Sequence, residues 1–333
     1  MPDASLFLLI TIVALAVGFA IVNGFNDAAN AIATVIGTKV LSPFKAIAMA
    51  AILNFAGAAT GLAVAHTIGK GIVSAEFINY EVIAAALVVA ILWEFITLRI
   101  GMPVSAHHAL IAGLVGAGIA SAGSVSIVWD KLVKVLSSVA IAPALGFAGG
   151  FIVMVILLWL LRRKAPLKVE GLFSRLQILS AGFMAYAHGK NDGQMPIGIM
   201  AVTFMLYRGT TDFSVPLWIM ALSAAAISFG TALGGWRIIR TLGMRMTALR
   251  PVHGFAAETA AASVIEAASA FGIPVSTTHC ISASIMGVGT TRRLSAVRWG
   301  VARSIVVAWI LTWPLCGIIG WILAKLILLI PSS

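Results

Sequence analysis

Long apolar runs recur along this chain: Leu6–Val22, Pro43–Ile68, Val82–Ile96, Ala144–Leu161, Val215–Leu233 and Val301–Leu329. Each is of the order needed to cross the roughly 30 Å hydrocarbon core of a bilayer as a helix. Backbone amides and carbonyls find no partner in lipid, so such segments close their hydrogen bonds internally, as helices. The two-residue alternation of a membrane barrel is missing. The pattern predicts an all-α polytopic membrane protein with about 10–12 transmembrane segments.

Polar residues break these runs at places that repeat. Gly24-Phe25-Asn26-Asp27 returns as Gly189-Lys190-Asn191-Asp192, and Gly101-Met102-Pro103-Val104-Ser105 returns as Gly272-Ile273-Pro274-Val275-Ser276. The offset of the second pair also carries Pro143 onto Pro314, Gly146 onto Gly317 and Gly149 onto Gly320. Two homologous halves follow, 1–161 and 173–330, joined by a basic linker at 162–172 that Pro166 and Gly171 interrupt. Polar, glycine-broken segments at matching places in two apolar halves point to a transporter binding site.

Charge sets the orientation. Only 10% of residues are charged against 61% hydrophobic, yet the net charge is +11. In a membrane chain that excess marks loops on the cytoplasmic side. No aromatic-interleaved basic tract suggests a nucleic acid. With the N-terminus outside and two crossings between Trp129 and Leu161, the linker and Arg237, Arg240, Arg245 and Arg250 fall inside. Lys70, Arg208, Arg292, Arg293, Arg298 and Arg303 then fall outside, the last four against the rule. Five crossings per half make the repeats inverted. Met1-Pro2-Asp3 supplies no basic start to a signal peptide, so the first apolar run is expected to be a mature helix. Cys280 and Cys316 have no metal or disulfide spacing and read as packing residues.

The polar words carry the candidate chemistry. Asn26, Asp27 and Asn30, with Asn191 and Asp192 in the second copy, offer carboxylate and amide oxygens suited to Na+ or, through the carboxylates, to H+. A glycine and clustered amides predict a helix broken at this motif in each half. Pro103 and Pro274 are expected to open a half-helix in a re-entrant hairpin, placing Ser105, Ser276, Thr277 and Thr278 at its tip. Hydroxyls and free backbone N–H groups there suit a tetrahedral oxyanion. Glu258 stands among alanines and must face the protein interior or a cavity. Glu94 and Glu266 precede the hairpins, where they either bind an ion or brace a tip. His108 and His279 occupy equivalent positions after the hairpin serines and read as bracing groups, while His188 precedes the second Asn-Asp pair.

At Gly24–Ala31, His188–Gln194, the segment Gly272 to His279, and Gly254-Phe255 with Glu258, the chain resembles the inorganic phosphate transporter (PiT) family over nearly its full length. The resemblance implies inverted repeats, a dimeric elevator-like assembly and phosphate carried with Na+ or H+. It implies that Asn26, Asp27, Asn30, Asn191 and Asp192 hold the coupling ion, joined by Glu258. Where the coupling ion is Na+, Asn26, Asp27, Asn191 and Asp192 are its metal ligands. It assigns Ser105, Ser276, Thr277 and Thr278 to phosphate. The first copy departs from the pattern: Ser105-Ala106-His107 has lost hydroxyls, and His107 is expected to donate to the anion in their place. Lys190 replaces a small residue and is expected to lend positive charge near the anion. His66 stands where animal members have glutamate.

These readings give a multi-pass transporter of the cell membrane that moves inorganic phosphate with a coupling cation, has no cofactor and is not an enzyme. Sulfate or another oxyanion is the competing cargo. Carboxylates beside the hydroxyls argue against an open anion channel, whose rings are basic. Ser105 and Ser276 each have a histidine three residues on, but no nucleophile-elbow motif accompanies them, which argues against a hydrolase.

Overall fold

A computed structural model describes residues 2–74 and 76–329. Met1, residue 330 of the expected second half, and the side chain of Lys70 lie outside the described residues. Thirteen α-helices are formed among them: α1 Pro2–Gly37, α2 Pro43–Ala58, α3 Ala63–Gly71, α4 Tyr80–Ile100, α5 Ala106–Ala122, α6 Trp129–Leu161, α7 Pro166–Asp192, α8 Gln194–Arg208, α9 Leu217–Leu233, α10 Trp236–Arg240, α11 Pro251–Ala270, α12 Thr277–Thr290 and α13 Trp299–Leu328. A π-helical turn, Thr241–Arg245, continues α10. Helices α1, α4, α6 and α13 are each long and apolar enough to cross a membrane, and the bent pairs α2–α3 and α9–α10 bring that number to six.

Several expectations change here. The Asn26-Asp27 motif does not break its helix: α1 runs through it for 36 residues. In the second copy α7 meets α8 at Gly193, which keeps right-handed helical angles. The breaks lie elsewhere, at 71° between α2 and α3 and at 60° between α9 and α10. Gly61 and Gly234, with φ of +87° and +70°, supply the left-handed backbone that these elbows need. Trp129–Leu161 is one helix of 33 residues and crosses once, not twice. Pro143 sits inside it, in an apolar stretch too long to be interrupted by one missing N–H. Part of the expected linker is helical as well, since α7 starts at Pro166.

The hairpins form as α4–α5 and α11–α12. In each, a left-handed glycine (Gly101, φ +71°; Gly272, φ +66°) ends the first helix. The second helix does not open at the proline. Ser105 and Ser276 are the N-caps, their Oγ atoms accepting from the backbone N–H groups of His108 (3.3 Å) and His279 (3.1 Å). Pro103 and Pro274 shape the extended approach instead.

The halves interlock. Helix α5 of the first half lies on α13 of the second, and α12 of the second lies on α6 of the first. The pairs α1–α9 and α7–α2 exchange in the same way. Glycines allow the closest contacts. A Cβ on Gly189 would stand 2.2 Å from the carbonyl oxygen of Asn54, and one on Gly24 would stand 2.1 Å from that of Ile227. Apolar side chains such as Leu145, Ile152, Ile310 and Ile318 stay exposed on α6 and α13, as lipid-facing surfaces require.

Candidate functional site

The duplicated motifs meet at the centre of the bundle. Asn26, Asp27 and Asn30 come from α1, Asn191 and Asp192 from the end of α7, Ser105 and His107 from the start of α5, and Ser276, Thr277 and Thr278 from the start of α12. All are at most 3% exposed. Charges and amides at such burial are stable only with partners, so their hydrogen bonds define the site.

One cluster joins α1 to the second hairpin. Asn30 Nδ2 donates to Thr277 Oγ1 (3.1 Å) and to Thr278 Oγ1 (2.9 Å). Thr278 Oγ1 in turn donates to Asp27 Oδ1 at 3.1 Å. Asn26 Nδ2 donates to the backbone oxygen of Glu94 (3.1 Å). The amide oxygens of Asn26 and Asn30 are left buried with no partner among the described residues.

A second cluster joins α7 to both hairpins. Asn191 Nδ2 reaches Val275 O (2.8 Å) and Asp192 Oδ1 (3.0 Å), while Asn191 Oδ1 accepts from Ser269 Oγ (3.2 Å). Asn191 therefore orients Asp192, whereas Asn26 and Asn30 keep oxygens free. His107 lies here, its Nδ1 4.0 Å from Asp192 Oδ1 and its Nε2 3.5 Å from Asn191 Nδ2.

His188 connects the two clusters. The Thr231 hydroxyl donates to Ile227 O (2.9 Å), so it accepts from Asn54 Nδ2 (2.8 Å). That leaves Asn54 Oδ1 facing His188 Nδ1 at 2.8 Å, which makes Nδ1 the protonated nitrogen. The other nitrogen, Nε2, points between Asp192 Oδ2 (3.5 Å) and Asp27 Oδ2 (4.0 Å). One donor atom from each of Asp27, His188 and Asp192 fits within 4.8 Å of the others, and two orphan amide oxygens belong to the adjoining cluster. This donor set fits a small cation. Sequence reasoning noted His188 without giving it a role. Its spacing, four residues before Asp192 on one helix face, was the available signal.

Glu258 is not part of this centre. Its carboxylate receives hydrogen bonds from Thr34, Ser180 and, at 3.1 Å, Gln177 Nε2. Thr34 lies one helical turn beyond Asn30 on α1, so the two sites are neighbours along one helix. No motif marked Thr34, Gln177 and Ser180; they converge only through packing of α1, α7 and α11.

Lys190 does not approach the anion region either. Its ammonium pairs with Glu266 Oε2 at 2.6 Å, half-buried on the flank of α7. The same contact accounts for Glu266. Glu94 is buried, with Oε2 unpartnered. The rings of His108 and His279 meet edge to face, centroids 4.7 Å apart, with Trp309 stacked on His279 at 3.8 Å. These ring contacts place both histidines in the packing of the hairpins.

The chain matches the model of the phosphate transporter family over residues 23–170 and 162–320. It is 46% identical over 316 residues to a probable low-affinity inorganic phosphate transporter of Rhizobium meliloti (strain 1021), covering 94% of each chain. A protein of Bacillus subtilis (strain 168) with the same description is 39% identical over 323 residues, covering 96% of each. Among solved structures, one described as the sodium-dependent phosphate transporter superposes with a TM-score of 0.91 at 26% identity, covering 98% of this chain and 100% of that one. These relatives are transporters, not enzymes. With its buried polar centre set among apolar crossing helices, this multi-pass membrane protein belongs to the phosphate transporter family.

Proposed function

We propose that the chain is a symporter that carries inorganic phosphate together with a cation bound between Asp27 and Asp192. The observation that carries this reading is the bond from Thr278 to Asp27, which makes one threonine a neighbour of both ligands. A cation on Asp27 and Asp192 neutralises two buried carboxylates that would otherwise repel an anion at the hairpin tips. Phosphate then accepts from the hydroxyls of Ser105, Ser276 and Thr277, from that of Thr278 once the cation on Asp27 releases its proton, and from first-turn N–H groups of α5 and α12. Each ligand makes room electrostatically for the other, and that mutual dependence is coupling.

Asn26, Asp27, Asn30 and Asp192 are the cation ligands in this reading. Asn191 and His107 orient Asp192. Glu258, with its ring of donors, forms a second polar station one turn along α1. The solved neighbour is sodium-dependent by description, so Na+ is the coupling ion we assign. The halves 1–161 and 173–330 are the two repeats. The first has an odd number of crossings whether or not its hairpin spans the membrane, since α1, α2–α3 and α6 each cross once. Repeats with an odd number of crossings are inverted with respect to each other.

Radiolabelled phosphate uptake into proteoliposomes tests the reading. An imposed Na+ gradient is expected to drive accumulation that excess sulfate does not reduce. Accumulation driven only by a H+ gradient would replace the ion. Accumulation of sulfate instead of phosphate would overturn the cargo.

A further inference from the structure

A cleft of about 340 Å³ lies outside the centre, between hairpin one and the α9–α10 elbow. Four arginines line it: Arg99 at the end of α4, and Arg237, Arg240 and Arg245 on α10 and its π turn. The i→i+5 bonding of a π turn brings residues five apart toward one face, which is the spacing from Arg240 to Arg245. All four are exposed. Among the described residues none has a carboxylate within 4.0 Å; the ion pair of Lys190 with Glu266 is elsewhere. One Arg237 guanidinium nitrogen donates to the backbone oxygen of Arg99, and Thr241 Oγ1 donates to Gly101 O at 3.0 Å, so the arginine-bearing segment is tied to the hairpin turn that leads to Ser105.

The arginine-bearing segment lies along α1 from the level of Asn26 to that of Ala33. A Cβ on Gly235 would meet the backbone oxygen of Phe25 at 2.5 Å and that of Asn26 at 3.2 Å, and one on Gly243 would meet that of Ala33 at 2.1 Å. From Asn26 to Ala33 is about 10 Å of helix axis. Exposed guanidinium groups at that depth need water, so the cleft is an aqueous one. The matching positions in the other half carry no arginine. There Thr67 Oγ1 donates to Gly272 O at 2.7 Å, in the manner of Thr241 to Gly101. By that register Ala63, His66, Gly71 and Ala270 stand where the four arginines stand.

We propose that this cleft is a vestibule site for a phosphate oxyanion in transit, held by Arg237, Arg240 and Arg245 between solution and the buried centre. The inference rests on the symport reading for its cargo. Guanidinium groups bind phosphate oxygens in bidentate fashion, and an unneutralised cationic cleft concentrates anions at its own membrane face only. The exposed Trp236 and Ile100 at its rim also suit the headgroup of an anionic lipid, which carries the same chemical group.

Two measurements test the site. In the first, the purified protein in phosphatidylcholine nanodiscs is modified with phenylglyoxal, and each arginine is read by mass spectrometry with and without inorganic phosphate. Protection of Arg240 and Arg245 by phosphate but not by chloride is expected; no protection overturns the proposal. Shielding by phosphatidylglycerol nanodiscs that phosphate cannot reproduce assigns the cleft to lipid and also overturns it. In the second, the KM for phosphate is measured from each face in oriented proteoliposomes. Arg240→Gln with Arg245→Gln is expected to raise KM at one face by roughly threefold or more and to leave the other face unchanged. Arg162→Gln with Arg163→Gln is the charge-matched control and is expected to change neither. Equal effects at both faces would overturn a one-sided vestibule. Protection without any transport would leave the cleft standing and remove the symport reading, whereas transport without protection would do the reverse.

Discussion

The two elbows of this molecule are built to one plan and filled with different chemistry. At α2–α3, Gln194 reaches across to cap the new helix, accepting from Val64 N (2.8 Å) and Ala65 N (3.2 Å). At α9–α10 a π turn and four arginines occupy the same station. The shared parts are the left-handed glycine of each hairpin and the threonine that donates to it. These hold the hairpins in position. The parts that differ face water and set the electrostatics of each side. The frame is thus shared, while the chemistry around it differs between the two elbows.

The centre shows the same division on a smaller scale. Asp27 is bonded by a hairpin threonine, whereas Asp192 is bonded by its neighbour Asn191 and approached by His107. The greatest test of equality between the halves is Asp27→Asn against Asp192→Asn. Each is expected to lower cation-driven phosphate uptake at least about 100-fold, because each removes one of two buried charges that hold one cation. Normal transport by either variant, with membrane insertion verified, would show that the halves do not share the ion.

Backbone contact is the next comparison. Gly24→Ala and Gly189→Ala each force a methyl group against a carbonyl oxygen across a helix pair, and each is expected to destabilise by about 1–3 kcal/mol. Thermal unfolding in detergent should show similar losses. A large loss in one alone would mean that α1–α9 and α2–α7 carry unequal loads. A third variant sharpens the contrast at the hairpins. His107→Ala removes the neighbour of Asp192 that stands where Thr278 stands beside Asp27. It is expected to raise the cation concentration for half-maximal uptake about tenfold, a cost of about 1.4 kcal/mol. An unchanged cation dependence would restrict His107 to the anion. The smallest effect is expected from Thr67→Val and Thr241→Val, about 1 kcal/mol each for one lost hydrogen bond. Unequal shifts in thermal stability would break the proposed register between the elbows.

Much of the frame was legible. Apolar run length gave the helices, and the repeated Gly-x-Pro-Val-Ser segments marked both hairpins. The breaks were misplaced because a buried Asn-Asp pair was read as a helix interruption. In the structure Asn26 and Asp27 find partners from other elements, so α1 need not open to expose its carbonyls. Trp129–Leu161 was divided to keep the basic linker inside, yet it forms one helix, and the proline within it loses only one hydrogen bond, which is tolerated in membranes. Lys190 was assigned to the anion from sequence adjacency alone. A neighbour in sequence on a helix points about 100° away, and there Glu266 was waiting.

By itself the sequence determined that this protein is a helical membrane transporter, because hydrophobic length and the cost of polar groups in lipid are local and additive properties. It also named most of the side chains at the centre. Only the tertiary structure decided which of them meet. His188 spans both carboxylates because glycine lets α7 approach α2 and brings Asn54 within reach. Glu258 acquires its donors from helices α1 and α7, far away in sequence. Four arginines share one cleft because hairpin one folds back against the opposite half. Such meetings depend on backbone distances of a few ångströms between elements remote in the chain, and periodicity along one strand of sequence carries no measure of them.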